Sequence, residues 1–436
     1  MEQQEFARRR QSLMNLMSKG SIALLPTAPE QIRNRDVHFP YRPDSNFYYL
    51  TGFAEPDALL VLIPERKQGQ YLLFCRERDP EKETWNGRRA GLEGACEYYG
   101  ADDAFPITDI DDIVPGLLES CKRVYYPMGC YPSFDEKVLA WINQLRDKSR
   151  TGINAPREMI ALDHILHEMR LFKSPAEIQA MQTAADIASR AHIRAMQYCR
   201  AGLYEYEIEA ELQHEFKRSG SSFPAYPSIV GAGENACILH YTENTSLLKA
   251  GDLVLIDAGA EYDYYASDIT RTFPVNGQFT AEQKAIYELV LESQYAAIEQ
   301  SKAGNTWQAP HEAAVKVITT GLVKLGLLTG TVEEQLSSCG YKRFFMHRTG
   351  HWIGMDVHDV GDYKIDETWR TLVAGMVFTV EPGIYIPASD DIDPKWWNIG
   401  IRIEDDILIT ETGHVVLTAK TPKTVAEIEA LVGKAQ

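Results

Sequence analysis

Four carboxylates stand where strand sequence should be apolar. Leu253–Ile256 is an apolar run that ends in Asp257, and Asp268 interrupts the next one, within "LVLIDAGAEYDYYASDITRTF". Further along, Glu381 closes the apolar run of "GMVFTVEPGIY", and Glu404 is set among isoleucines in "GIRIEDDILI". An unpaired charge in a strand interior costs several kcal/mol, so each acid must be paired, protonated or bound to a cation. One such acid alone is more often a salt-bridged structural group. Four of them, with His347, His351 and His358 lying between the two pairs in "HRTGHWIGMDVHDVG", reverse that weighting. Four negative charges are balanced by two divalent ions, and a carboxylate can bridge a pair about 3.5–4 Å apart. Oxygen-rich ligation with one imidazole suits Mn²⁺, Co²⁺, Fe²⁺ or Zn²⁺ rather than a dedicated Ca²⁺ loop.

The elements that would position these acids recur. In "KSPAEIQAM", Ser174 reads as an N-cap, Pro175 as the first helical residue and Glu177 as the partner in a capping box. Apolar residues then follow at helical spacing to near Cys199, "RAGL" breaks the helix, and Ile208, Leu212 and Phe216 mark a second one. The plan repeats: Thr280 and Gln283 cap "AIYELVLESQYAAIEQ", "KAGN" breaks it, and a helix through "HEAAVKVITTGLVKLG" follows. Helix, break, helix, then acid-bearing strands occurs twice. This predicts two similar α/β halves related by a pseudo-twofold, each bringing two acids to a shared centre. The preceding region, 1–170, alternates a basic helix with short apolar runs ("SIALLP", "NFYYLTGF", "ALLVLIP", "QYLLFC") and reads as a separate α/β domain, with "GINAPREM" as the connection.

Composition narrows the function classes. A net charge of −18 repels nucleic acid and favours cationic ligands such as free amino groups. No stretch approaches the ~18 apolar residues of a membrane span, and the start carries no export signal. Seven cysteines without a CxxC pair read as reduced thiols, so the expected location is the cytoplasm.

Taken together, "DAGAEYDYYASDITRTFPV", "GHWIGMDVHD", "TVEPGIY" and "IRIEDD" are similar to the pita-bread dinuclear metallopeptidases, in their proline-specific branch of aminopeptidase P and prolidase. "YRPDSNFYYLTGFAEPDALLVL", "WNGRRAG", "YYGADDAF" and "ILHYTEN" extend the resemblance over nearly the whole chain. It implies a catalytic pita-bread domain over 171–436 behind an N-terminal domain of 1–170 that serves specificity or oligomerisation. It also implies Asp257 as a ligand of one metal, His351 and Glu381 as ligands of the other, and Asp268 and Glu404 as bridges, with Mn²⁺ the usual ion and Co²⁺ or Zn²⁺ possible.

The implied reaction is removal of the N-terminal residue from peptides with proline second, by a hydroxide bridging the two metals. Glu381 then shuttles the proton to the leaving nitrogen, His347 and His358 hydrogen-bond around the scissile carbonyl, and His240 lies on the substrate side. Arg402 pairs with an acid near the metals, and Tyr385 lines the substrate pocket. Bacterial members of the family are often dimers or tetramers, so the resemblance implies a homo-oligomer. Trp85 is read as a core residue, with reach into a neighbouring subunit's pocket as the alternative. The segment "PASDDIDPKWWNIG" is either a mobile rim or a packed insert. Prolidase is the rival. Many prolidases carry an arginine fourteen residues before the "EPG" glutamate to hold a dipeptide's carboxylate, whereas this chain has Glu367 there and Arg370 three residues on, which favours longer peptides. A non-catalytic binding module of the same fold is the distant alternative, and the complete ligand set argues against it.

Overall fold

The structure, a computed structural model, describes residues 1–119 and 121–434. Its chain divides into two compact units, Met1–Met169 and Arg170–Gln436. Among the described residues no helix is long and apolar enough to cross a membrane.

The first unit is built on a six-stranded mixed sheet. Ser21–Pro26 is near its middle, antiparallel to Leu59–Leu62 and parallel to Arg123–Tyr126. Every residue of Leu59–Leu62 and Tyr71–Cys75 is buried, which is why these strands read as continuous apolar runs rather than alternating ones. Helix Pro132–Asp147 lays Phe134, Val138, Trp141, Ile142 and Leu145 into the sheet's core. Three readings need correction. "NFYYLTGF" is no strand: Ser45–Thr51 is a helix capped by Asp44 and ended by Gly52 at φ 66°. "GINAPREM" is not the connection between the units: it lies within Met1–Met169, and its last two residues begin the strand Glu158–Ala161, which pairs in parallel with Arg123–Tyr126. Trp85 is not in the core. It is 82% exposed on Pro80–Asn86, a helix too short and polar to bury a face.

The second unit carries the repeated plan. Helices Pro175–Tyr198 and Glu205–Arg218 precede a three-stranded antiparallel sheet of Ile229–Ala232, Leu253–Asp257 and Thr270–Pro274. Helices Ala281–Gln300 and Gln308–Lys324 precede Val377–Val380, Asp405–Thr410 and Gly413–Val416, with Gly383–Ile386 and Ile399–Arg402 forming a further pair. Both capping boxes form, at Ser174 with Glu177 and at Thr280 with Gln283. The halves join through the Glu404 N–H, which donates to the Thr270 carbonyl at 3.1 Å, and the Arg402 N–H, which donates to Thr272 Oγ1 at 3.2 Å. Val254, Ile256 and Phe273 of the first half share one buried cluster with Ile384, Ile401 and Ile403 of the second. The 387–400 segment is a packed insert: Trp396 is buried, and Trp397 Nε1 donates to the Ile392 carbonyl at 2.9 Å.

Candidate metal and substrate site

Asp257 is the last residue of its strand, opposite Thr270, and Asp268 lies just before the returning strand. They can approach because Gly259 lies between them. A Cβ there would fall 1.7 Å from the Ser267 carbonyl oxygen, so any other residue would push the two segments apart. Tyr226 joins the pair: its hydroxyl is 2.6 Å from Asp257 Oδ1 and also hydrogen-bonds Asp268 Oδ1. Glu381 follows the strand Val377–Val380, and Glu404 precedes Asp405–Thr410. His351 is fixed against the same strand by its N–H to Thr379 Oγ1 (3.1 Å), where Gly350 crosses so closely that a Cβ would lie 1.9 Å from the Thr379 carbonyl.

These side chains converge. One ligand atom each from Asp268, His351 and Glu404 lie within 4.8 Å of one another. His351 Nε2 is 3.4 Å from Asp268 Oδ2 and 3.8 Å from Glu381 Oε1. His351 Nδ1 donates to the Trp352 carbonyl at 3.0 Å, so the neutral ring keeps its lone pair on Nε2, the atom facing the acids. Asp257, Asp268, His351, Glu381 and Glu404 all line one cavity of about 950 Å³, ample for several residues of peptide.

The group lacks positive charge. Burial, then the charge of Asp268 and Glu381, pushes Glu404 well above the carboxylate range. Burial likewise raises Glu381, to about 7, although His351 and Arg402 pull it down. Asp268 is raised by burial and by Asp257. His351 is drawn up to about 9: burial lowers it, but Asp268 and Glu381 win. His351 as an imidazolium and Arg402, already paired with Asp257, are the cations that act on these acids, and among the described residues Glu404 Oε1 is buried without a partner. Buried oxygens with one imidazole nitrogen, short of charge and within a few ångströms, fit a divalent ion.

Around this floor the other expected residues take distinct places. Arg402 Nη2 donates to Asp257 Oδ2 at 2.7 Å and Nη1 to the Tyr385 hydroxyl at 3.0 Å. Tyr385, expected to line the pocket, is instead fully buried and absent from the cavity wall. Its hydroxyl donates to His347 Nε2 at 2.9 Å, because His347 Nδ1 must itself donate to the Arg348 carbonyl at 2.7 Å. Burial, then Arg402, holds His347 down at about 4, so it is a neutral wall residue with both nitrogens engaged. His240 and His358 line the cavity, and the His358 ring meets that of His351 edge-on at 4.4 Å between centroids.

Sequence reasoning passed over three contributors. Tyr226 has no motif around it. Thr270 donates to Glu404 Oε2 at 2.6 Å, as an ordinary strand threonine would not be expected to do. Asp406, fully buried, accepts the Asp268 N–H at 3.0 Å through Oδ2 while its Oδ1 has no partner. Consecutive acids in "RIEDDILI" were its available signal.

Comparison with known proteins follows the same lines. The sequence model of metallopeptidase family M24 matches residues 179–411, and that of the aminopeptidase P N-terminal domain matches 6–125. The chain is 48% identical over 432 residues to an Escherichia coli Xaa-Pro aminopeptidase, covering 99% of this chain and 98% of the relative. It superposes on Pseudomonas aeruginosa aminopeptidase PepP with a TM-score of 0.98 at 59% identity, covering 99% of this chain and 98% of that one. Zn-substituted E. coli aminopeptidase P in complex with product gives a TM-score of 0.97 at 48% identity, with coverage of 99% and 98%.

Proposed function

This chain belongs to metallopeptidase family M24, and on that premise we propose that it is an Xaa-Pro aminopeptidase, releasing the N-terminal residue from peptides whose second residue is proline. The observation that carries the reading is the Asp268–His351–Glu404 group, with ligand atoms within 4.8 Å of one another, in a chain alike over its full length to proteins of that activity.

Asp257, Asp268, His351, Glu381 and Glu404 would hold two divalent ions, Mn²⁺ by resemblance, with Co²⁺ or Zn²⁺ as alternatives. When bound, such ions lower the pKa of water and oppose negative charge developing on the amide oxygen. The chain's own residues do the rest. Arg402 holds Asp257 in place, and the peptide's free amine would seat, as a neutral donor, at that end of the floor, which restricts cleavage to the terminus. Glu381 would carry a proton toward the proline nitrogen as it leaves, a role that its position on the cavity wall supports. His358 and His240 offer N–H groups to the substrate from the cavity wall, and His347, locked by Tyr385, shapes it. Proline has no N–H to offer and a fixed ring, so shape contacts with imidazoles and with Trp307 and Tyr363 replace hydrogen bonding.

Two further parts complete the proposal. Trp85, 82% exposed, supports assembly as a homo-oligomer, dimer or tetramer. Seven free cysteines support a reducing, cytoplasmic location. Metal-depleted protein titrated with Mn²⁺, Co²⁺ and Zn²⁺ against an Xaa-Pro dipeptide and an Xaa-Pro-Xaa tripeptide tests the assignment. Tripeptide cleavage is expected. Cleavage of the dipeptide alone would make the chain a prolidase, and inactivity with every metal would leave a binding module.

A further inference from the structure

We infer that Arg348 and Lys364 form a cationic subsite that selects peptides carrying a carboxylate on the residue after proline. The inference rests on the aminopeptidase reading above. Both cations line the cavity that holds the acids, and both lie against one aromatic ring: Lys364 Nζ is 4.7 Å and Arg348 Cζ 4.9 Å from the centroid of Trp369, which lines the same wall.

The ring is positioned by a hairpin. Lys364 and Trp369 are direct cross-strand partners in a hairpin whose two turn residues, Asp366 (φ 46°) and Glu367 (φ 65°), both take the left-handed conformation that tight two-residue turns require. Beyond the hairpin, the Arg370 N–H donates to the Tyr363 carbonyl at 3.0 Å, and the Trp307 N–H donates to the Arg370 carbonyl at 2.8 Å. Arg348 is steadied by Nη2 donating to Gln308 Oε1 at 2.5 Å, a neutral partner, and the carboxylate of Glu312 acts on it only from beyond ion-pair distance.

Among the described residues, no ion pair within 4.0 Å engages either cation. Arg402, the third cation on the cavity wall, is committed to Asp257. Asp366 and Glu367 are exposed on the turn and do not line the cavity, so they weaken the field without filling the subsite. Packing of aliphatic stems on an aromatic ring would account for the contacts alone. It does not account for two positive charges without an ion pair converging on one wall of the cavity, in a chain of net charge −18. A peptide seated with its amine at the Asp257 end of the floor would carry a carboxylate toward the cations. That carboxylate can be the C-terminus of a tripeptide or an Asp or Glu side chain in a longer one.

Four peptides separate these cases: Ala-Pro-Ala with a free C-terminus, its C-terminal amide, Ala-Pro-Glu-amide and Ala-Pro-Lys-amide, assayed with Mn²⁺-loaded protein. Both carboxylate peptides should exceed the neutral amide in kcat/KM by roughly three- to tenfold at low salt, the Lys peptide should fall below it, and the spread should shrink as salt is added. Preference for only one of the two carboxylate peptides assigns the subsite to that source. Lys364→Met and Arg348→Gln should each move the carboxylate-to-amide ratio toward one, and Lys364→Glu should turn the preference toward the Lys peptide. Equal kcat/KM on all four peptides, or a preference that survives in the double variant, overturns the subsite while leaving the aminopeptidase reading intact. Failure to cleave any of them overturns both.

Discussion

Tyr226 governs the acidic floor from a position that no motif announced. Its hydroxyl has one proton to share between Asp257 and Asp268, so it fixes the orientation of two carboxylates that would otherwise repel. Burial, then these two acids, raises the phenol well above its ordinary range, which keeps it a donor. Tyr226→Phe should therefore weaken Mn²⁺ binding by about 10–100-fold, the usual cost of losing a hydrogen bond to a ligand. Calorimetric titration of metal-depleted protein reads this, and unchanged affinity would reduce Tyr226 to a space-filler. His192 makes a different case. Its Nε2 donates to the Ala258 carbonyl at 2.9 Å, its Nδ1 is buried without a partner, and burial holds the ring down at about 4. The unfolded ring titrates near ~6.5, so on acidification the unfolded chain binds the proton first. Stability from the neutral ring is complete above pH ~6.5 and is lost progressively toward 4. Urea midpoints at pH 7 and 5 should fall further in the wild type than in His192→Gln, and equal losses would refute the assignment.

At the scale of elements, the segment bearing His358 is held by charge rather than by regular structure. Asp359 is buried and bonded to Arg170 at 2.6 Å and Lys173 at 3.0 Å, and Asp356 adds a second bond to Arg170 at 2.7 Å. Burial alone would raise Asp359, yet Lys173 and Arg170 hold it below the usual carboxylate range. Asp359→Asn strands the buried Lys173 and halves the pairing of Arg170, which keeps Asp356, and should cost about 3–5 kcal/mol. It should also lower kcat more than it raises KM, because the neighbouring His358 loses its anchor. Thermal melts and steady-state kinetics separate the two effects, and a folded variant with unchanged kcat would show that the anchor serves stability alone. None of this network was legible beforehand, since its partners lie some 186–189 residues apart in sequence and share no period. Local signals were legible. The capping boxes at Ser174 and Thr280 are written in four consecutive residues, and the long helices followed from them. The misreadings came where local composition had no unique outcome: "NFYYLTGF" suits strand or helix until Asp44 caps it, Glu158–Ala161 is a short edge strand after a proline, and Trp85 looks apolar in a helix that has nothing to pack against.

For the whole molecule, charge balance is the property that the sequence states most openly and the fold then concentrates. Order along the chain told which acids belong together, because both halves of a repeated plan end in acid-bearing strands. It could not tell that Asp406 would sit behind Asp268 with an unpartnered oxygen, since that depends on strand register between Val377–Val380 and Asp405–Thr410. The consequence is thermodynamic. Glu381, Glu404, Asp268 and Asp406 are all raised, first by burial and then by neighbouring acids, so a divalent ion would favour their charged forms and with them the native fold. An ion that binds only the native state stabilises it by about 2.7 kcal/mol at a hundred times its dissociation constant. For a domain of this size that is a rise of roughly 5–10 °C in melting temperature. Calorimetry with chelator and with excess Mn²⁺ should show that rise in the transition of residues 170–436 and little change in that of 1–169. In Asp257→Ala and Glu404→Ala the rise should shrink along with turnover. A wild-type melt indifferent to Mn²⁺ would mean that the acids share protons instead of ions, and the metallopeptidase chemistry would have no seat.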